Sequence, residues 1–325
     1  MDTTVYSLVV PLYNEELVIT ECYKRLKQIM DTLNESYEII FVNDGSKDNS
    51  DKIIEEICNK DSNVRLINFS RNFGHQSAIT AGMQFSEGSA IIIIDADLQD
   101  PPEVIYRMIE KWKEGYDVVY GKRIKRKGET FFKKFTAKIF YKILDKLTDV
   151  NIPRDTGDFR LIDRKVCDVL NALPEKNRYV RGLVSWIGFK QTEVEFIREE
   201  RFAGETKYSL KKMLKLAFDG ITSFSYKPLK FASIIGIMMS IIGFIYLLVV
   251  LFKKFFTDKN IQGWTSLIGV NIMFSGIILL ALGIMGEYIG RIYEEVKNRP
   301  IYIVKDTKGF GKKYEKNNTT YIKKI

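Results

Sequence analysis

Residues 91–103 read IIIIDADLQDPPE. Four successive isoleucines, Ile91 to Ile94, make an apolar run without polar alternation, the pattern of a strand covered on both faces. The chemistry then reverses: Asp95, Asp97 and Asp100 follow, with Gln99 among them and Pro101-Pro102 behind. A proline pair suits the first turn of a helix. Strands that end in polar residues and pass into helices are where α/β sheets place ligands, beyond the carboxyl ends of the strands.

The same rhythm extends outward to residue 125. YSLVVPLYN, YEIIFVND, NVRLINF and YDVVYG are further short apolar runs, and the segments 15–33, 47–59, 76–86 and 102–112 between them have helical length. Ser46 or Asp48 can cap the second helix. Alternating strand and helix predicts an α/β fold with a mostly parallel sheet and helices on both faces. Polar residues gather at the strand ends: Asn14 and Glu15 after the first, Asn43 and Asp44 after the second, Asp95 and Asp97 after the fourth.

With 46% hydrophobic and 28% charged residues in 325, the chain has a folding composition. Its net charge of +9 points to anionic partners: nucleic acid, phosphorylated substrates or an anionic membrane surface. Cys22, Cys58 and Cys167 are odd in number and far apart, supporting neither a disulfide framework nor a zinc site; they read as reduced thiols of a cytosolic domain. The apolar stretch near the N-terminus lacks the basic flank and cleavage site of a signal peptide.

Composition shifts near residue 230. Phe231 to Phe252 and Thr265 to Gly286, 22 residues each, contain no charge. At a rise of about 1.5 Å per residue each spans about 33 Å, enough for a hydrocarbon core of about 30 Å. A buried hairpin in a soluble protein would show a polar stripe. Lys207, Lys211, Lys212, Lys215, Lys227 and Lys230 precede the first span, and Arg291, Lys297 and Arg299 follow the second, which puts both ends in the cytoplasm, against the vote of Lys253, Lys254 and Lys259 in the connecting loop. Just before the spans, Leu210, Leu214, Ala217, Phe218, Ile221 and Phe224 recur at helical spacing, as for an amphipathic helix lying in the interface. The expected organisation is a cytosolic domain over 1–208, an interfacial helix region over 209–230, a two-helix transmembrane hairpin over 231–289 (spans about 231–252 and 265–287) and a cytosolic segment over 290–325. In that last segment PIYIVKD has an extended pattern and can add a strand to a neighbouring copy, giving a homo-oligomer, or to its own domain.

Asp95 and Asp97, one residue apart, share a face in extended geometry. With Gln99 they offer oxygen ligands to a hard divalent cation completed by substrate phosphates. A turn-and-cap cluster uses the same residues. No G-x-x-x-x-G-K-[ST] or G-x-G-x-x-G occurs, which favours the metal reading.

VVPLYNEE, IIFVNDGSKDNS, SRNFGHQSAI and IIIIDADLQDPPE, in this order, resemble family 2 glycosyltransferases with a GT-A fold, that is, a Rossmann-like sheet. DTGDFRLIDRKV and RFAGETKYS, followed by two spans, narrow the resemblance to polyprenyl-phosphate glycosyltransferases, such as the bactoprenol glucosyltransferases and dolichol-phosphate mannose synthase. The resemblance covers residues 5 to about 295. It implies an inverting, metal-dependent enzyme of the plasma membrane that moves a hexose from a nucleotide sugar, UDP-linked, to polyprenyl phosphate, here undecaprenyl phosphate, for cell-envelope glycosylation. Pro11, Tyr13, Asn14 and Glu15 would line the nucleoside pocket, with Asp44 on the base or ribose and Gly74 nearby. Asp95, Asp97 and Gln99 would hold Mg²⁺ or Mn²⁺ against the diphosphate. Asp158 matches the acid placed as catalytic base, with Asp155 second. An acceptor phosphate with a second pKa of about 6 is largely dianionic already, so Asp158 is expected mainly to orient acceptor and sugar, taking a proton only from the monoanion. Arg123, Arg126, Arg160, Arg201 and Lys207 are the candidate phosphate ligands, arginine for bidentate grip and lysine as a point charge. Each would also suit a solvated basic face. Thr206 stands where relatives commonly carry serine, and it keeps the hydroxyl. The only histidine, His75, reads as a loop contact near the nucleotide.

Two other functions fit parts of the chain. A processive polysaccharide synthase of the same superfamily would carry Q-x-x-R-W, which is absent. A non-catalytic scaffold or flippase component would not explain the acids, and neither span carries the charge that marks a translocation path. Nucleic-acid binding would leave the spans without purpose.

Overall fold

The computed structural model describes residues 4–125, 153, 156–199, 225–256 and 263–310. Asp155, Arg126, Arg201, Lys207, Thr206 and the amphipathic stretch up to Phe224 lie outside the described residues.

Four strand–helix pairs and a fifth strand open the chain: β1 (Tyr6–Leu12), α1 (Ile19–Thr32), β2 (Tyr37–Asn43), α2 (Ser50–Lys60), β3 (Val64–Phe69), α3 (His75–Phe85), β4 (Ala90–Ile93), α4 (Val104–Lys113) and β5 (Val118–Lys125). There follow β6 (Thr156–Asp163), α5 (Arg164–Ala172), α6 (Val180–Trp186) and β7 (Gln191–Ile197), to which the sequence patterns assign nothing. The long helices α7 (Lys227–Phe256) and α8 (Trp264–Val296) precede a last strand, β8 (Val304–Lys308).

All eight strands join one sheet in the order β7-β5-β6-β4-β1-β2-β3-β8. β3, β2, β1 and β4 are mutually parallel, as the buried apolar runs require; β6 lies antiparallel between β4 and β5, and β5 runs parallel with β7. Successive residues of each central strand feed opposite layers. Leu8, Val10, Ile39, Phe41 and Ile92 pack against α1, α2 and α4, while Val9, Ile40, Val42, Ile91 and Ile93 pack against α3, α5 and α6. Ile91 to Ile94 are fully buried, each contributing about 1.5–3 kcal/mol of apolar transfer.

Two local departures from the sequence pattern have physical causes. α1 starts at Ile19 rather than near 15 because the preceding turn is fastened to the β2–α2 loop: Asn14, Glu15 and Glu16 amides donate to Ser46 Oγ (2.9 Å), Ser50 Oγ (3.1 Å) and Asp48 Oδ2 (3.2 Å). Asp48 Oδ1 also accepts from Ser50 N at 3.1 Å, although Asn49 occupies the cap position of α2. α3 rests directly on β1, so close that a Cβ at Gly82 would meet Val9 Cγ1 at 2.1 Å.

PIYIVKD resolves in favour of its own chain: β8 pairs antiparallel with β3, Ile67 opposite Thr307. Cys22 and Cys167 are buried and Cys58 half-buried, all free. α7 and α8 are long and apolar enough to cross a membrane, and their side chains are exposed, Ile237 at 61% and Leu279 at 68%.

Candidate active site

The register of β4 against β6 builds the centre of the site. Ile93 stands opposite Arg160, so two residues further on β4 and two earlier on β6 bring Asp95 across from Asp158 at the carboxyl end of the parallel strands. The first residue of α3 closes the gap. His75 Nε2 lies 3.2 Å from Asp158 Oδ2 and 3.4 Å from Asp95 Oδ1. Gln76 Nε2 donates to Asp158 Oδ2 at 3.4 Å, and its Oε1 accepts from Val180 N at 2.9 Å, tying α3 to the start of α6.

From α6 comes Arg181. Its Nε donates to Asp158 Oδ1 at 2.8 Å and its Nη2 to Asp158 Oδ2 at 2.9 Å, a bidentate fork, while Nη1 donates to Thr156 O at 3.3 Å. Burial alone would raise the Asp158 carboxyl; the Arg181 charge and the His75 and Arg181 hydrogen bonds outweigh it and hold Asp158 well below the usual carboxylate range. The same pairing raises the Arg181 guanidinium against its own burial. His75 follows this logic: burial would lower it, yet Asp95 and Asp158 raise it to about 9.

Asp95 is pushed the other way. Burial raises it to about 6, with Asp158, Asp97 and Asp100 adding to the effect and His75 opposing. Its Oδ1 is a buried atom without a hydrogen-bond partner among the described residues. Asp97, 9% exposed, accepts from Gln99 N at 3.1 Å across Leu98, which adopts a left-handed φ of 57°. Among the described residues no group of three or more metal-ligating side chains is assembled. Two hard carboxylates, one with a buried oxygen that accepts no hydrogen bond and faces His75 Nε2 at 3.4 Å among the described residues, fit a divalent cation whose remaining ligands are phosphate and water.

Around this centre the other sequence candidates divide. Asp44, 3% exposed, accepts from Phe73 N (2.6 Å) and Gly74 N (2.9 Å), so its carboxylate clamps the loop that leads into α3. Gly45 beside it has a φ of +67°, and a Cβ there would meet the backbone carbon of Arg71 at 2.5 Å. Pro11 is buried in β1; Tyr13, Asn14 and Glu15 form the partly exposed turn beyond it, with Asn14 Oδ1 accepting from Lys47 N at 2.8 Å. Arg123 is engaged: Nη2 donates to Asp100 Oδ2 at 2.9 Å and Nε to Oδ1 at 3.3 Å, with Arg198 Nε 3.5 Å from the same Oδ1. Arg160, 3% exposed, turns its fork to the backbone of β6, donating to Gly157 O (2.9 Å) and Asp158 O (3.4 Å); burial lowers it to about 10. Both arginines therefore brace the acids. Gln99 O accepts from Glu199 N at 2.9 Å, which ties the acidic loop to the chain leaving β7.

Sequence reading missed Arg181 and underestimated His75. Arg181 lies in RYVRGLVSW beside the buried Val180, Leu183 and Val184, where a lone arginine looks like a solvent-facing helix position.

The chain matches the model of glycosyl transferase family 2 over residues 7–170, from β1 through most of α5. It is 65% identical over 308 residues to the uncharacterized glycosyltransferase YkcC of Bacillus subtilis (strain 168), covering 95% of each chain. It is 41% identical over 302 residues to the prophage bactoprenol glucosyl transferase homolog of Escherichia coli (strain K12), covering 93% of this chain and 99% of that one. With the SfII prophage-derived bactoprenol glucosyl transferase of Shigella flexneri it shares 42% over 299 residues, 92% and 97% of the two chains. The chain belongs to glycosyl transferase family 2, and the mostly parallel sheet that brings Asp95 to Asp158 is its GT-A domain.

Proposed function

We propose that this glycosyltransferase moves a hexose, glucose foremost, from a UDP-sugar to a polyprenyl phosphate in the bilayer, with inversion at the anomeric carbon. The observation that carries the proposal is the meeting of Asp95, Asp158 and Arg181 at the strand ends of a chain that continues into two membrane-length helices. An acceptor on a long hydrocarbon stays in the bilayer while its phosphate meets a water-soluble donor, and the bactoprenol glucosyl transferases that resemble this chain match it through both long helices. The catalytic domain (1–208) would be cytosolic, joined by an interfacial region (209–230) to a hairpin (231–289), with the segment 290–325 back in the cytoplasm.

In this reading Pro11, Tyr13, Asn14, Glu15, Asp44 and Gly74 shape the nucleoside end. Asp95 and Asp97, with Gln99 beside them, would hold Mg²⁺ or Mn²⁺, which supplies stabilisation for the charge left on the departing diphosphate. An acceptor phosphate oxygen attacks the anomeric carbon as the bond to the diphosphate breaks and its electron pair leaves with UDP. Positive charge develops on the sugar in such a displacement, and Asp158, held toward its anionic form by Arg181 and His75, would stabilise it. Arg126, Arg201 and Lys207 would take the acceptor phosphate, with Arg123 and Arg160 in supporting roles through Asp100 and the β6 backbone.

The test uses purified full-length protein in detergent with Mn²⁺, undecaprenyl phosphate and a panel of radiolabelled UDP- and GDP-sugars, counting label in the organic phase. One sugar should transfer, and Asp97→Ala should abolish the transfer. Donor hydrolysis or polymer formation with no label on the lipid would overturn the acceptor assignment.

A further inference from the structure

The second membrane-length helix does not stop at the end of its apolar stretch. From Gly286 α8 continues through Glu295, nine residues or about 14 Å further, as one uninterrupted helix. There it meets the catalytic domain at one loop. Glu295 Oε1 accepts from the backbone amides of Lys176 (2.9 Å) and Asn177 (3.4 Å), and Glu294 Oε2 accepts from Asn177 Nδ2 at 2.8 Å. The gripped loop is stiff, because buried Arg178 folds it on itself, donating from Nε to Glu175 O at 3.1 Å and from Nη2 to Leu173 O. Three residues on, α6 begins at Val180, whose amide is held by Gln76, and the next side chain is the Arg181 fork on Asp158.

We propose that Glu295 is a positioning residue for the transfer reaction: it sets the loop 173–179, hence α6 and the Arg181 fork, so that Asp158 is aligned only while the catalytic domain is docked on the helix. The inference rests on the proposed role of Asp158. Docking of this kind adjusts the step at the sugar, and it acts less on the nucleoside end, built mainly on the β1 and β2 turns with Gly74 clamped separately by Asp44.

Full-length variants assayed in detergent with UDP-glucose, Mn²⁺ and undecaprenyl phosphate test it. Glu295→Ala should lower kcat about tenfold with the KM for UDP-glucose within twofold, and Glu295→Gln, which keeps an accepting oxygen, should recover at least half the rate. Asn177→Asp, which sets a new carboxylate against Glu294, should give the same kcat-only loss and carries the test if Glu295→Ala does not fold. Residues acting through one chain of contacts are non-additive, so in an Arg181→Ala background Glu295→Ala, or Asn177→Asp in its place, should cost less than twofold more. Full additivity, or KM rising together with kcat loss, would overturn the positioning role alone; an Arg181→Ala protein with wild-type rate would overturn it together with the role given to Asp158.

Discussion

Asp44 and Asp158 are buried almost equally, 3% and 5% exposed, and they hold adjacent pieces of chain: Asp44 takes the amides of residues 73 and 74, Asp158 the side chains of residues 75 and 76. Their electrostatics are opposite. Asp44 has neutral backbone donors closest, and burial outweighs them and raises its carboxyl; Asp158 has a guanidinium and an imidazole, and falls well below the usual range. Equal burial therefore accompanies one acid clamped on backbone amides with its pKa raised and another paired with cations with its pKa lowered. What surrounds a buried carboxylate, rather than how deeply it lies, sets the direction in which its pKa moves.

Removing each acid should break that symmetry most sharply. Asp158→Ala should lower kcat about 100- to 1,000-fold, the size of a lost preorganised electrostatic contact, while donor binding measured by titration with UDP stays within a fewfold. Asp158→Asn refines the comparison. A carboxylate held this low is a poor proton acceptor, so on the proposed reading Asp158 orients and takes no proton from the acceptor monoanion. The Asn defect should then be near constant from pH 6 to 9, with the acidic limb of about 6 belonging to the acceptor phosphate in both proteins. A defect that shrinks as pH rises would restore Asp158 as a base.

Asp44→Ala should act on stability and on donor binding: loss of two hydrogen bonds to a charged group costs about 3–6 kcal/mol, read as a lower thermal midpoint, and the KM for the donor should rise more than kcat of the folded fraction falls. Smallest is His75. Its folded value of about 9 lies above its ordinary 6.5. The stabilisation is thus complete below about pH 6.5 and disappears as pH rises through 9. In EDTA, the wild-type midpoint should fall across that window and His75→Gln should flatten the fall, by about 1–2 kcal/mol once screening of a ring one-third exposed is allowed for.

The strands of the first 125 residues and the positions of Asp95, Asp97 and Asp158 were legible because they depend on local patterns: apolar runs, a D-x-D after a strand, a short motif. The partners of those acids were not. Arg181 reaches Asp158 across 23 residues and His75 across 83, and β6 enters between β4 and β5 out of chain order, a pairing no local period encodes. Arg123 illustrates the same gap. Its motif suggested a phosphate, and the register of β5 and β6 delivers it to Asp100.

The pairing of β8 with β3 has a practical consequence for anyone cutting this protein. The last strand reaches the sheet only after the chain has passed through both long helices, so a soluble fragment ending before residue 227 loses it. β3 would then become an open edge, a row of unpaired backbone donors and acceptors ready to recruit another strand. Such fragments should aggregate unless residues 300–310 are supplied, as a fused or separate peptide, to close the sheet.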